Sequence, residues 1–221
     1  MKPGARARLV VLISGRGSNL QAFIDACASG MLAAEISVVI SNNPTAPGLE
    51  LAAAAGIQTG CIDHRNFPSR EAFDAALAQE VARWQADLVI LAGFMRILTP
   101  AFIQPFSGRL LNVHPSLLPR YPGLHTHQRA LDAGDSEAGV TVHFGTLELD
   151  GGPPIIHARV PVLPGDTATT LAARVIDKEH QIYPLAAQWY ISGRLQMTDH
   201  GACLDGEPIP ATGIDYPTGE Q

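Results

Sequence analysis

Between Arg8 and Ser14 the chain reads RLVVLIS, with no polar side chain inside the run. An unbroken β-branched stretch of this kind suits a strand covered on both faces, which implies a parallel sheet flanked by helices. The next segment, GRGSNLQAFIDACASG, places Leu20, Phe23, Ile24 and Cys27 at helical spacing and ends at Gly30. The alternation then repeats. Strands are expected over Glu35–Asn42, Ile57–Asp63, Asp87–Gly93 and Gly108–Pro115. Helices are expected over APGLELAAAAG, closed by Gly56, and over Ser69–Ala86, with Ser69 as N-cap and Phe73, Leu77, Val81 and Trp84 on one face.

This order predicts an α/β fold with a mostly parallel, doubly wound, Rossmann-like sheet and right-handed crossovers. Past residue 138 the pattern changes. Gly139–Asp150 and Pro154–Val162 read as long antiparallel strands around DGGP, and Asp166–Gly193 as a long helix disturbed by Pro184. YPTGEQ reads as a frayed end.

Composition narrows the function. A hydrophobic share of 46% with 16% charged residues is globular, and a net charge of -6 offers no basic footprint for nucleic acid. Any anion must be held by local groups. Cys27, Cys61 and Cys203 are odd in number and widely spaced, which predicts neither a disulfide framework nor zinc and favours a reducing cytoplasm. The run Leu9–Ile13 is too short for a signal peptide core, and nothing reaches bilayer length.

Chemistry concentrates in a few places. SGRGSN, Ser14–Asn19, joins a strand to a helix; Gly17, Ser18 and Asn19 would offer N–H groups to a monophosphate. The third glycine of a dinucleotide fingerprint is absent, and a tight turn with a serine cap is the alternative. Asn112 and His114 lie two apart at a strand end, where open α/β sheets bind ligands, although a histidine can also merely cap a sheet edge. Asp150 precedes Gly151 and Gly152. Either it fixes a nearby imidazolium or it belongs to an ordinary Asp-Gly turn. His125 and His127 are read as lining or bracing their loop, and His143 as a core residue or a wall of the site. No metal site is expected.

Together, VVLISGRGSNLQAFIDA, LVILAGFMRILTPAFI, LLNVHPSLLPRYPGLHTHQRAL, VTVHF with ELDGGP, and EHQIYP resemble the glycinamide ribonucleotide formyltransferases of the folate-dependent formyltransferase superfamily. The resemblance implies a formyltransferase fold in a single domain, 1–221. That domain would comprise a nucleotide-binding-like half (8–115), a folate-binding and C-terminal half (116–200) and a tail (201–221). It implies transfer of the formyl group of 10-formyltetrahydrofolate, a co-substrate, to glycinamide ribonucleotide in purine synthesis, without a metal. Asn112, His114 and Asp150 match the catalytic trio. Gly17, Ser18, Asn19 and Glu179 match the ribonucleotide site. Arg70, Met95, Arg96, Ile97, Leu98, Asn112, Thr146, Leu147, Glu148 and Leu149 match the folate site. Leu147 stands where relatives often carry Asp. Small-molecule partners are implied, with no nucleic acid or membrane, in a monomer or homodimer. The alternatives are a formyltetrahydrofolate hydrolase, a nucleotide-sugar formyltransferase, or a non-catalytic sugar-phosphate-binding α/β domain.

Overall fold

The computed structural model describes residues 6–217, in which the chain divides into two compact units after Leu111. The first unit contains β1 (Ala7–Ile13), α1 (Ser18–Ser29), β2 (Ala34–Ser41), α2 (Pro47–Ala54), β3 (Thr59–Cys61), α3 (Arg70–Arg83), β4 (Leu88–Leu91), the short α4 (Pro100–Ile103) and the start of β5 (Leu110–His114). Its parallel strands run β3-β2-β1-β4. Every residue of β1 except Arg8 is buried, as a strand covered on both faces requires. Val10 and Leu12 join Val38, Ile40, Val89 and Leu91 in a core that Phe73, Leu77 and Val81 of α3 close. Those three face inward because they recur at helical spacing, and Ser69 starts their helix by accepting the Ala72 N–H at 3.1 Å.

The second unit contains the rest of β5, α5 (Thr126–Asp132), β6 (Glu137–Phe144), β7 (Pro154–Pro161), α6 (Ala168–Ile191), β8 (Leu195–Thr198), β9 (Gly201–Leu204), β10 (Glu207–Pro208) and β11 (Ile214–Asp215). β6 and β7 are antiparallel, as expected, and β11 adds to β7 in parallel. A reciprocal Thr167–Thr170 capping box starts α6. The helix then lays Leu171, Val175, Ile182 and Ala186 against β6 and β7 and runs through Pro184 without ending there.

Some boundaries differ from the sequence expectation. β6 stops at Phe144, so Asp150 lies in a loop and not at a strand end. The alternation TLELD mimics a strand, but Leu147 and Leu149 are half exposed, and Asp150 has a left-handed φ of 51°. β3 is shorter than Ile57–Asp63 because it pairs along one side only, with Val39–Ser41. The stretch from Gly201, read as a tail, forms β9 and β10 in a small sheet with β8, and then β11. Of YPTGEQ, residues 218–221 lie outside the described residues, while the Tyr216 N–H bonds the His157 carbonyl at 2.8 Å. Among the described residues no helix is long and apolar enough to cross a membrane.

Candidate active site

In the first unit, the chain leaves β1 through Ser14, Gly15 and Arg16 and enters α1 at Gly17. Gly17, not a serine, caps the helix, with a left-handed φ of 83°. Gly17 supplies no capping side chain, and the helix dipole favours an anion at this end. Ser18 is exposed and Asn19 is buried. A residue that sequence reasoning missed shapes this turn. The Gly48 N–H, in the first turn of α2, donates to the Gly15 carbonyl at 3.0 Å, and a Cβ on Gly17 would stand 3.1 Å from Gly48 Cα. Only glycine at 17 satisfies both the φ and the approach.

The same unit carries Arg70 and Met95–Leu98. Arg70 is exposed in the first turn of α3. Residues 93–98 are irregular backbone with near-alternating exposure; Met95 is 74% and Ile97 49% exposed, while Leu98 is buried. The Arg96 guanidinium lies 4.9 Å over the Phe73 ring.

In the second unit, β5 ends with Asn112 half-buried and His114 buried. His114 Nε2 lies 2.8 Å from the Tyr121 carbonyl, and its Nδ1 lies 3.3 Å from Asp150 Oδ2. Both ring nitrogens face acceptors, so the ring is fully served only as the imidazolium. The Asp150 side chain is 7% exposed, and its Oδ2 also accepts the Gly123 N–H at 2.9 Å. One carboxylate thus ties the strand end, the 115–123 loop and the 145–150 loop together.

Asn112 is oriented in turn by His143. The His143 Nδ1–H donates to the Phe144 carbonyl at 2.9 Å, so Nε2 is the acceptor for Asn112 Nδ2–H at 3.2 Å. Asp150 Oδ1 lies 3.9 Å from that nitrogen, but burial pushes the His143 imidazole below its ordinary pKa and keeps it neutral. Asn112 Nδ2 keeps a second N–H for a ligand.

Tyr121 is a further residue that the sequence did not single out. It adopts a left-handed φ of 55°, and the guanidinium groups of Arg120 and Arg129 each lie 5.1 Å from its ring centroid. Its hydroxyl donates to Asp135 at 2.8 Å, and Arg129 donates to the Pro122 carbonyl at 2.7 Å. These contacts fix the carbonyl that holds His114. Buried Thr141 of β6 secures the same loop, accepting the Leu118 N–H at 3.1 Å and donating to the Ser116 carbonyl at 2.8 Å.

The remaining expected residues of this unit lie on other segments. Thr146, Leu147, Glu148 and Leu149 form the loop before Asp150, and Gly152 closes it: a Cβ there would meet the Phe144 carbonyl oxygen at 1.8 Å. Glu179 is buried on α6. His125 is exposed at the start of α5, while half-buried His127 is pushed below its usual pKa by burial and by the charge of His114. Among the described residues no group of three or more His, Cys, Asp or Glu could hold a metal.

A family model described as formyl transferase matches residues 7–187. This chain belongs to the formyl transferase family. It is 54% identical over 205 residues to the phosphoribosylglycinamide formyltransferase of Escherichia coli K12, covering 93% of this chain and 97% of that protein. It is 45% identical over 196 residues to the human trifunctional purine biosynthetic protein adenosine-3, covering 89% of this chain and 19% of that protein. Among solved structures, the phosphoribosylglycinamide formyltransferase of Coxiella burnetii in complex with CHES superposes with a TM-score of 0.92 at 48% identity, covering 96% of this chain and all of that one.

Proposed function

We propose that the chain transfers the formyl group of 10-formyltetrahydrofolate to the glycyl amine of glycinamide ribonucleotide. The products are formylglycinamide ribonucleotide, for purine synthesis, and tetrahydrofolate. The observation that carries this reading is the pairing of His114 with the Asp150 carboxylate, which also holds the Gly123 N–H, while Asn112 is tied to His143 beside the same carboxylate. The high identity to proteins named for this reaction supports it.

The chemistry follows from the hydrogen bonds. The amine attacks the formyl carbon, a C–N bond forms, and negative charge collects on the formyl oxygen. Asn112 offers its second Nδ2–H to that oxygen. Both His114 nitrogens are already engaged, so His114 acts through its charge and not through a free N–H. Collapse breaks the bond to folate N10, which gains a proton as the amine loses one. Asp150 Oδ2 holds Gly123 and His114, which leaves Oδ1 to pass that proton through water.

Gly17, Ser18 and Asn19 take the ribonucleotide phosphate, with Glu179 nearby on the ribonucleotide. The peptide groups of Met95–Leu98, together with Arg70 and the Thr146–Leu149 loop, take the folate. Exposed Met95, Ile97, Leu147 and Leu149 suit a flat heteroaromatic ring. Free Cys27, Cys61 and Cys203 suit a reducing compartment such as the cytoplasm. Incubation with both substrates, followed by the appearance of deformylated folate, tests the reading. Release that depends on the ribonucleotide supports it, and equal release without the ribonucleotide makes the chain a hydrolase.

A further inference from the structure

The Gly93–Thr99 segment belongs to no helix or strand, and the hydrogen bonds that fix it fall at its ends. At the start, the Ser14 N–H donates to the Gly93 carbonyl at 3.2 Å, and Ser14 Oγ accepts the Met95 N–H at 2.8 Å. The Ser14 hydroxyl proton is committed elsewhere, to Asn42 Oδ1 at 2.6 Å, so its lone pairs face Met95. At the far end, Asp74 Oδ2 accepts the Thr99 N–H at 2.5 Å.

Asp74 is fully buried, and its other oxygen, Oδ1, has no hydrogen-bond partner. An apolar side chain would fill that place at lower desolvation cost, so a carboxylate kept there points to a task beyond packing. Its neighbour on α3, Phe73, carries the Arg96 guanidinium. Ser14 and α3 therefore grip the segment at Met95, Arg96 and Thr99. The side chains of Met95 and Ile97 along this segment are exposed.

Resting on the folate reading above, we propose that Ser14 and Asp74 are positioning residues that hold this backbone in the shape that binds the folate ring, Ser14 at its entrance and Asp74 at its exit. Neither residue touches the ring. Each fixes one main-chain N–H, and the peptide groups between them are thereby set in advance, which lowers the ordering cost of binding. Ser14 also precedes Gly15–Asn19 directly, so one hydroxyl joins the end of the phosphate turn to the start of the folate segment.

The test measures binding of a 10-formyl folate analogue by equilibrium titration, KM for both substrates and thermal unfolding, in the full chain. Wild-type binding of the analogue checks the folate reading itself. Given that binding, Ser14→Ala is expected to weaken the analogue about tenfold, the worth of roughly one hydrogen bond, with ribonucleotide KM little changed and the unfolding temperature lowered by only about 2–4 °C. Ser14→Thr, which keeps the hydroxyl, restores affinity. Asp74→Asn keeps an acceptor for Thr99 and stays within about threefold of wild type, whereas Asp74→Ala loses tenfold or more. If Asp74→Ala does not fold, the Ser14 pair decides. Unchanged analogue affinity in Ser14→Ala, or an equal loss for both substrates, overturns the proposal.

Discussion

Replacing Asp150 with Asn changes one oxygen for an amide nitrogen and leaves the shape intact. Oδ2 now serves the Gly123 N–H at 2.9 Å and His114 Nδ1 at 3.3 Å. An asparagine oxygen in the Oδ2 place can keep both contacts, with the NH2 in the Oδ1 place, but the amide carries no charge. The ring still donates from Nε2 to the Tyr121 carbonyl at 2.8 Å, yet a buried imidazolium without its carboxylate is disfavoured against the neutral ring. The positive charge next to the developing oxyanion disappears, while Asn112 and its His143 partner stay. Loss of one such stabilising group costs about 3–4 kcal/mol in the transition state, or a factor of roughly 100 to 1,000 in kcat. The imidazole can discharge rather than remain as a bare buried cation, so the stability loss falls below the 3–5 kcal/mol or so of a truncated buried ion pair. Steady-state kinetics with each substrate varied in turn, alongside thermal unfolding, makes the measurement. The expected result is a collapse in kcat with ribonucleotide KM within about twofold of wild type. A variant that keeps more than a tenth of wild-type kcat, or that loses only ribonucleotide affinity, refutes this account of His114.

Further expectations concern the residues that hold the trio. His143→Ala removes the acceptor that aims Asn112, and kcat should fall about tenfold with folate affinity nearly unchanged, read by kinetics and titration. His143 also predicts a pH effect. Its folded pKa is lowered from 6.5 by burial, so as pH falls below 6.5 the unfolded chain takes up a proton that the folded chain refuses. Its contribution is therefore complete above 6.5 and declines below it, by at most about 1.4 kcal/mol per pH unit, until the folded pKa is reached. Unfolding temperatures of wild type and His143→Phe between pH 5 and 8 should diverge in slope only on the acid side. Gly17→Ala places a Cβ 3.1 Å from Gly48 Cα at a φ of 83°, costing about 1–2 kcal/mol for the left-handed backbone alone. Ribonucleotide KM should rise while binding of the folate analogue holds.

The parallel half was legible because burial on both faces leaves a plain mark: RLVVLIS and LVILAG carry no polar interruption. β8 to β11 left no such mark, since strands of two to four residues take their identity from a partner and not from their own period. Residues 145–149 misled for the opposite reason, as a loop with strand-like alternation. In the site, the residues proposed to do chemistry could be picked out of the sequence, but the groups that contact them could not. The Tyr121 carbonyl acts through backbone, which no side-chain pattern reports. His143 could be read as wall or core, and its actual part depends on which nitrogen faces Phe144. Asp74 did leave a signal. It lies on the same helix face as Leu77 and Ala78, three and four residues on, and a carboxylate inside an apolar stripe asks for a partner.

The neck of the 145–152 loop has one more consequence. The Phe144 N–H donates to the Pro153 carbonyl at 3.0 Å, and Gly152 packs so tightly under the Phe144 carbonyl that no larger residue fits. That pinch anchors Asp150 from behind, independently of the side chains at the tip. Under the proposed function, residues such as Leu147 can therefore be exchanged to retune which pterin-like rings are admitted, with the Asp150 carboxylate left in register. Ligand preference and reaction chemistry would then be separable traits in this hairpin, open to engineering one at a time.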